Sequence, residues 1–273
     1  MGNFNMITAL IINLAHATDR MAFMRVQMEA LNLLWERIEA VTPDTLTPPK
    51  ADPVWHRWQR PLRVTEMALC ASHIVAWRQI LDRGVPCLVL EDDAVLATTL
   101  PHFLNDVAGL QGIDHITLET RGRKKLVARI PHARVAIRRL YQDRTGSAAM
   151  VIWPSGAKKL LTYASQGAAP SDALISACPG LISYQADPAL AVQLDQCSAY
   201  GISNAVQTIS FIDMAQKPSL KHLSFVDRLW YRVRRVMAQI RMGMRMIARV
   251  GVATRRHVMP TGPWPDVSRD KRP

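Results

Sequence analysis

Pro86-Cys87-Leu88-Val89-Leu90 runs without a break into Glu91-Asp92-Asp93-Ala94. A short apolar run that ends on three carboxylates reads as a buried strand delivering charge at its carboxyl end. The form recurs upstream, where Ile7 to Leu14 (ITALIINL) is almost continuously apolar and is broken near its end by Asn13. Between the two, Thr18 can cap a helix with Met21, Met24, Met28 and Leu31 on its apolar face. Leu34 to Val41 is a second short strand, and Thr65-Glu66 opens a helix that runs to about Asp82 and ends at Gly84. Downstream, Leu100 to Leu110 is helical and His115 to Glu119 is a strand. Ala148 to Trp153 is strand-like, Pro154 stands at a first helical turn, and Ser155 to Ala164 continues it. Pro170 to Cys178 is a short helix and Leu181 to Tyr184 a late strand. Strands alternating with helices predict an α/β body with a mostly parallel sheet flanked by helices. In such sheets ligands sit beyond the carboxyl ends of strands. Asn13 and Glu91-Asp92-Asp93 both lie at such ends.

Three adjacent carboxylates at the edge of a core are costly, because repulsion and partial burial disfavour their ionised forms. A divalent ion with hard oxygen ligands relieves this, and Mg²⁺ or Mn²⁺ fills its remaining positions with water or phosphate. In extended backbone Glu91 and Asp93 point to one side and Asp92 to the other. The competing reading is a solvated strand end, or a helix N-terminus decorated with acids.

The chain has 273 residues, 49% hydrophobic and 21% charged, which excludes a disordered or fibrous polymer and allows a sizeable core. Its four cysteines (Cys70, Cys87, Cys178 and Cys197) show no close spacing, so neither a zinc site nor a disulfide framework is expected. The apolar run Met6 to Leu14 is too short for a membrane span and lacks the form of a signal peptide. With no longer apolar stretch elsewhere, a cytosolic protein is expected. Pro43 to Pro61, rich in proline and tryptophan, reads as a long loop.

The net charge is +12, and the segment Lys221 to Val258 holds ten basic residues against Asp227 alone, so +9 of the total sits there. Within it Val226, Trp230, Val233, Met237, Ile240, Met244 and Ile247 recur at steps of four and three. That is one face of a helix, with Arg228, Arg232, Arg235, Arg245 and Arg249 on the others. A basic amphipathic helix of this kind can lie on an anionic membrane surface. Packing on the body with arginines turned to solvent is the alternative. Nucleic acid is not expected, since no recognisable binding motif accompanies the charge. The resulting division is a body over residues 1–215, a basic helical appendage over 216–258 and a disordered tail over 259–273.

Several ordered blocks resemble glycosyltransferase family 25, the bacterial lipopolysaccharide sugar transferases related to the collagen galactosyltransferases. The first is Ile11-Ile12-Asn13-Leu14 with Thr18-Asp19-Arg20 and Met24; the second is Glu36-Arg37-Ile38-Glu39-Ala40-Val41. Thr65-Glu66-Met67-Ala68-Leu69-Cys70-Ala71-Ser72-His73 with Trp77 is similar to a characteristic helix, and Leu88 to Ala94 to the acidic signature. Gly146, Gly156-Ala157-Lys158-Lys159-Leu160-Leu161 and Asp172 complete the series, which covers about residues 6 to 200. The basic helix lies outside it.

The resemblance implies a GT-A-type, Rossmann-like fold and an inverting transfer of a hexose, galactose in particular, from a UDP-sugar. The acceptor it implies is a lipid-linked glycan of the lipopolysaccharide kind, reached from the inner face of the cytoplasmic membrane. Mn²⁺ or Mg²⁺ would be held by Glu91 and Asp93. Asp92 could fix a donor hydroxyl or the ribose, and Asn13 and Arg20 could meet the nucleotide. Asp172 is the candidate base, or else a first-turn helix acid. Ser72 and His73 are candidate donor contacts, His73 being otherwise a satisfied core histidine. Arg123, Lys124 and Lys125 could steer a phosphorylated substrate or form a solvated turn. Thr65, Ala68 and Leu69 stand where the family carries two glycines and a cysteine, which bears on sugar identity more than on fold. A catalytically silent, membrane-associated scaffold is the alternative from the binding class.

Overall fold

The computed structural model describes residues 7–143, 146–203 and 224–265. The expected boundary at 215, the start of the basic segment at Lys221, and residues 266–273 of the tail lie outside them. In chain order the elements are β1 (Ala9–Asn13), α1 (Thr18–Ala30), β2 (Trp35–Glu39), α2 (Val64–Arg83), β3 (Cys87–Glu91), β4 (Ala94–Leu96), α3 (Leu100–Ala108), β5 (His115–Thr117), β6 (Lys125–Ala128), β7 (Ile137–Gln142), β8 (Ala149–Ile152), α4 (Pro154–Gln166), α5 (Ser171–Ala177), β9 (Ser183–Ala186), β10 (Ala191–Gln193), α6 (Phe225–Ile247) and β11 (Ala253–Arg256).

Nine strands form one large sheet in the order β11-β6-β7-β9-β5-β8-β3-β1-β2, while β4 and β10 pair separately. Among the described strands, only β1–β2, β1–β3 and β5–β9 pair in parallel. β8 runs against both β3 and β5, and β7–β9, β6–β7 and β11–β6 are also antiparallel. The expectation of a mostly parallel sheet is thus corrected to a mixed one. Its cause lies between Thr117 and Ala149, where β6, β7 and β8 follow one another with no helix between them. Parallel pairing needs a helical crossover, and the strand–helix alternation stops there.

Period-two alternation builds the core on both faces of the parallel end. Ala9 and Ile11 of β1, with Leu88 and Leu90 of β3, face a cluster that takes in Met24 and Met28 of α1 and Leu100 and Leu104 of α3. Leu10 and Ile12, with Cys87 and Val89, face the other cluster, which holds Trp77 of α2, Leu160 of α4 and Leu174 of α5. A strand buried on both faces has no polar half, which is why β1 and β3 read as continuous apolar runs.

Local signals place the helix ends. Glu66 accepts the Arg63 N–H at 2.9 Å and closes the start of α2, and Gly84, at φ 67°, lets the chain turn out of its end. Thr18 is the first residue of α1 and not its cap; Ala17 holds that position, and its carbonyl takes a bond from Asn13 Nδ2 at 3.1 Å. The Pro43 to Pro61 stretch is pinned to the body. Trp55 is buried and donates to the Pro48 carbonyl at 3.0 Å, and Arg57 donates to Gln166 at 2.8 Å.

Helix α6 carries its apolar stripe outward: Phe225 and Ile247 are each 74% exposed, and Trp230, Met237 and Ile240 are exposed with them. Its arginines reach the body instead. Arg234 donates to the His56 carbonyl at 2.7 Å and Arg245 to the Ser176 carbonyl at 2.8 Å. Helical structure stops at Ile247, so the expected 216–258 appendage is not helical to its end: β11 joins the large sheet beside β6. The tail expected to be disordered from residue 259 also packs. Met259 and Thr261 exchange bonds with Ala189 at 3.0 Å each, and the Pro263 carbonyl accepts from Thr98 at 2.9 Å. Backbone pairing of this kind holds a chain whatever its proline content.

Candidate active site

β3 ends on Glu91, and the turn at Asp92-Asp93 hands the chain to β4. The three carboxylates go separate ways. Asp92 lies between Asn13 Nδ2 at 2.8 Å and Arg20 Nη1 at 2.9 Å, which ties the ends of β3 and β1 to the start of α1. Glu91 turns to the opposite side. Its Oε1 sits 3.1 Å from His73 Nε2 and accepts from Ser147 Oγ at 2.6 Å. Among the described residues the Asp93 carboxylate receives only two long contacts, both 3.4 Å, from Gln193 Nε2.

Of the three residues expected against the donor, Ser72 lines a cavity beside Arg20 and Asp93, while Asn13 and His73 are buried and do not line it. Asn13 also accepts from Arg37 Nε at 3.0 Å, so its amide is spent on the protein. Ser72 accepts the Val41 N–H at 2.9 Å and donates to the Ala68 carbonyl at 2.8 Å, clamping the chain after β2 to α2. His73 is fully buried and orients Glu91.

Beneath Glu91 runs a loop of small residues, Gly146-Ser147-Ala148. The Ala148 N–H donates to Glu119 Oε1 at 2.9 Å, and Ser147 Oγ lies 2.8 Å from Ser171 Oγ at the start of α5. Gly146 has φ 88°, and a Cβ there would fall 2.0 Å from Glu119 Oε1, so only glycine fits. Ser147, Glu119, Arg121 and Gln193 are site residues that sequence reasoning missed. Gly146 was the one signal near them. Lys125 is withdrawn from the expected steering patch: it is fully buried, 2.6 Å from Asp143 and 2.6 Å from Gln185 Oε1. Arg123 and Lys124 stay exposed.

Two cavities meet at Glu91 and Leu69. One, of about 140 Å³, is lined by Arg20, Asp92 and Asp93, with Val41, Pro43 and Thr65 opposite. The other, of about 340 Å³, is lined by Arg60, Arg121, Ser147, Asp172 and Gln193. Asp172 occupies the first turn of α5, where Oδ1 accepts the Ala173 N–H at 2.7 Å. It is thus a first-turn helix acid that also lines the larger cavity.

Charge here is held unevenly. Burial, then the neighbouring Glu91 and Asp92, push Asp93 up to about 7. Burial raises Asp92 more than Arg20 and Asn13 lower it. Burial raises Glu91 too, but His73 and Ser147 outweigh it and carry the carboxyl below its ordinary value. Burial raises Asp172 above its ordinary value and Glu119 to about 8. Among the described residues no cluster of three or more His, Cys, Asp or Glu side chains could enclose a metal. Asp93, weakly bonded and crowded by negative charge, suits a cation that takes one or two carboxylates and draws its other ligands from a phosphate. Glu91 has Oε2 left to join it, while Asp92 is committed to Arg20.

No curated protein matches the chain in sequence. Among solved structures, a glycosyltransferase involved in glycosylation of the major capsid of PBCV-1 aligns at 11% identity. It covers 69% of this chain and 94% of that one, with a TM-score of 0.36. A Drosophila β1,4-galactosyltransferase 7 mutant, in complex with manganese, UDP-Gal and xylobiose, aligns at 8% identity over 78% and 81%, with a TM-score of 0.37. Both are distant likenesses. The sequence model described as glycosyltransferase family 25 (LPS biosynthesis protein) matches residues 6–175. That match covers well over half the chain, from β1 into α5, with the acidic turn, its histidine and the small-residue loop inside it. This protein belongs to glycosyltransferase family 25 and is a glycosyltransferase.

Proposed function

We propose that the enzyme transfers a hexose, galactose in particular, from a UDP-sugar to a lipopolysaccharide-type glycan with inversion at the anomeric carbon. The observation that carries this is the meeting of the two cavities at Glu91, one bordered by Arg20 and Asp93 and the other by Asp172. The smaller cavity takes the diphosphate end of the donor, with Arg20 as the cation facing it. The larger cavity takes the acceptor. Asp93, with Glu91 behind it, would hold Mn²⁺ or Mg²⁺. When bound, such an ion offsets the negative charge that develops on the departing UDP. Asn13 and Arg20 hold Asp92, and His73 with Ser147 holds Glu91, so the acidic turn is fixed before substrate arrives.

Inversion needs a base on the face opposite the leaving group. Asp172 removes the proton of the acceptor hydroxyl. That oxygen attacks the anomeric carbon as the bond to UDP breaks. Burial raises the Asp172 carboxyl above its ordinary value, which makes its ionised form a stronger base than a solvated one and supports this role. The family's description as an LPS biosynthesis protein supports the acceptor class.

No helix among the described residues is long and apolar enough to cross a membrane. The outward stripe of α6, flanked by exposed Arg228, Arg232 and Arg235, supports peripheral attachment to an anionic bilayer at the cytoplasmic face. A thermal shift with UDP, with and without Mn²⁺, on wild type and Asp93→Asn tests the central claim. Ligand at about a hundred times its Kd stabilises by roughly 2.7 kcal/mol. A metal-dependent shift that the variant loses supports the site, and no shift in the folded wild type refutes it in favour of the silent scaffold.

A further inference from the structure

Asp172 also lines a further cavity of about 370 Å³, which lies between β7, α5 and the end of α6 and is not lined by Glu91. Asp172 and Gly146 line both this cavity and the acceptor cavity, so the two adjoin. Its volume falls in the range of small-ligand sites, about 300–1,000 Å³. Its distinguishing feature is charge. Arg139 comes from β7, and Arg245 and Arg249 come from the last turn of α6 and just beyond it.

None of the three arginines forms an ion pair with a carboxylate among the described residues. Arg139 spends its donors on the Leu140 carbonyl at 3.1 Å, the Leu181 carbonyl at 3.3 Å and the Ser183 carbonyl. Arg245 donates to the Ser176 and Ala177 carbonyls at 2.8 and 3.5 Å. The Arg249 side chain makes no hydrogen bond among the described residues; its guanidinium lies 4.8 Å from the centre of the Tyr141 ring, with Arg139 5.7 Å from the same ring. The other titratable groups do not cancel this charge. Asp143 is matched by Lys125 at 2.6 Å, and burial holds His115 down to about 4, leaving it neutral. Asp172 alone opposes three guanidiniums. Like charges gathered round a cavity repel, and a bound anion relieves the repulsion while forming charge-assisted hydrogen bonds.

We infer that this cavity is an anion subsite for the acceptor, and that the acceptor glycan carries a phosphate within one sugar of the hydroxyl that reacts. The inference rests on the assignment of Asp172 and its cavity to the acceptor. It adds the chemical class of that acceptor: Arg249 and Arg245 grip a phosphomonoester while the adjoining sugar presents its hydroxyl at Asp172. Arginine suits this role because its planar fork meets phosphate oxygens two at a time.

Calorimetric titration of the full-length protein with glucose 6-phosphate, and with glucose as control, tests it. Wild type binds the phosphosugar and not glucose, and Arg249→Ala weakens binding by about tenfold or more, the value of one charge-assisted contact. The UDP and Mn²⁺ thermal shift is unchanged in Arg249→Ala, which shows that the variant is folded and its donor side intact. Glucose 6-phosphate that fails to bind wild type, or binds Arg249→Ala and Arg245→Ala as well as wild type, overturns the subsite. If the UDP shift persists in that case, the proposed function stands and the subsite alone falls. Vesicles containing phosphatidylglycerol separate the other source of phosphate. If Arg249→Ala loses vesicle binding while glucose 6-phosphate never binds, these arginines serve a lipid surface and the inference is wrong.

Discussion

Replacing Gly146 by alanine isolates the device on which the site's floor depends. The new Cβ would lie 2.0 Å from Glu119 Oε1 and 2.2 Å from Cδ, far inside contact distance. The carboxyl cannot swing away freely, because it is fully buried and its Oε1 holds the Ala148 N–H at 2.9 Å. At φ 88° the backbone adds its own penalty, about 1–2 kcal/mol for an L side chain in left-handed space. Overpacking a filled interior adds about 1–3 kcal/mol. The total, about 2–5 kcal/mol, lowers Tm on the order of 10 °C in a chain of this size. Calorimetry on four proteins checks the attribution: wild type, Gly146→Ala, Glu119→Ala and the double variant. With the carboxyl gone, Gly146→Ala should cost only its backbone share, so the two changes couple by about 1–3 kcal/mol. A Tm within 2 °C of wild type, or the same loss in both backgrounds, would show that the loop relaxes freely and that Glu119 does not fix it.

Asp93→Asn should leave the fold intact, abolish the Mn²⁺-dependent part of the UDP shift and cut turnover about 100-fold or more; retained activity would remove it as a ligand. Asp172→Asn should lower kcat by about 10²–10⁴ with donor binding unchanged, and an unaltered kcat would end its role as base. Trp230→Glu with Ile240→Glu should release the full-length chain from phosphatidylglycerol vesicles without lowering Tm, since both side chains are exposed; continued sedimentation would refute the membrane face. Glu119, raised to about 8 from an ordinary 4.5, is protonated when folded and ionised when unfolded between those values. The folded state then binds the extra proton, so stability falls as pH rises from about 4.5 to about 8, by on the order of 1.4 kcal/mol per unit at most. Urea melts across that range should show a shallower fall in Glu119→Gln, and identical slopes would sink the assignment.

What the sequence made legible follows burial. β1 and β3 are covered on both faces, so nothing polar interrupts them and their charged ends stand out. β6 and β7 are covered otherwise. Lys125 and Arg139 lie in them because the strands bury cations against carbonyls and Asp143, and no alternation survives in Lys-Leu-Val-Ala or Ile-Arg-Arg-Leu-Tyr-Gln. β11, Ala-Thr-Arg-Arg, gave no strand signal, and its pairing with β6 is set by long-range geometry. The acidic turn was visible for the same reason as β3. Its supports were not: Ser147 and Gln193 are ordinary polar residues until the fold sets them beside Glu91 and Asp93. Nor did amphipathicity say which face of α6 would meet the body, because carbonyls at His56 and Ser176 hold arginines as firmly as an apolar groove holds leucines.

That inversion changes how the carboxyl-terminal region relates to catalysis. A helix tethered by its arginines can keep its apolar stripe for a second surface, and the strand that follows it locks the arrangement. β11 covers β6 and forms one edge of the sheet, and the Val258 carbonyl accepts from the Thr120 hydroxyl at 2.7 Å. Thr120 precedes Arg121, which bonds Gln193 and, at 2.5 Å, Asp195; Arg121 and Gln193 form part of the wall of the cavity that holds Asp172. The same chain segment therefore carries the outward stripe, two arginines of the anion cavity and the prop beneath that wall. Deleting it would remove a strand along with any membrane contact, so a truncated protein that lost activity would say nothing about anchoring. Point changes on the outer face of α6 leave β11 and Arg245 in place. They alone separate attachment from architecture, and an enzyme so altered should still turn over a soluble acceptor at the wild-type rate.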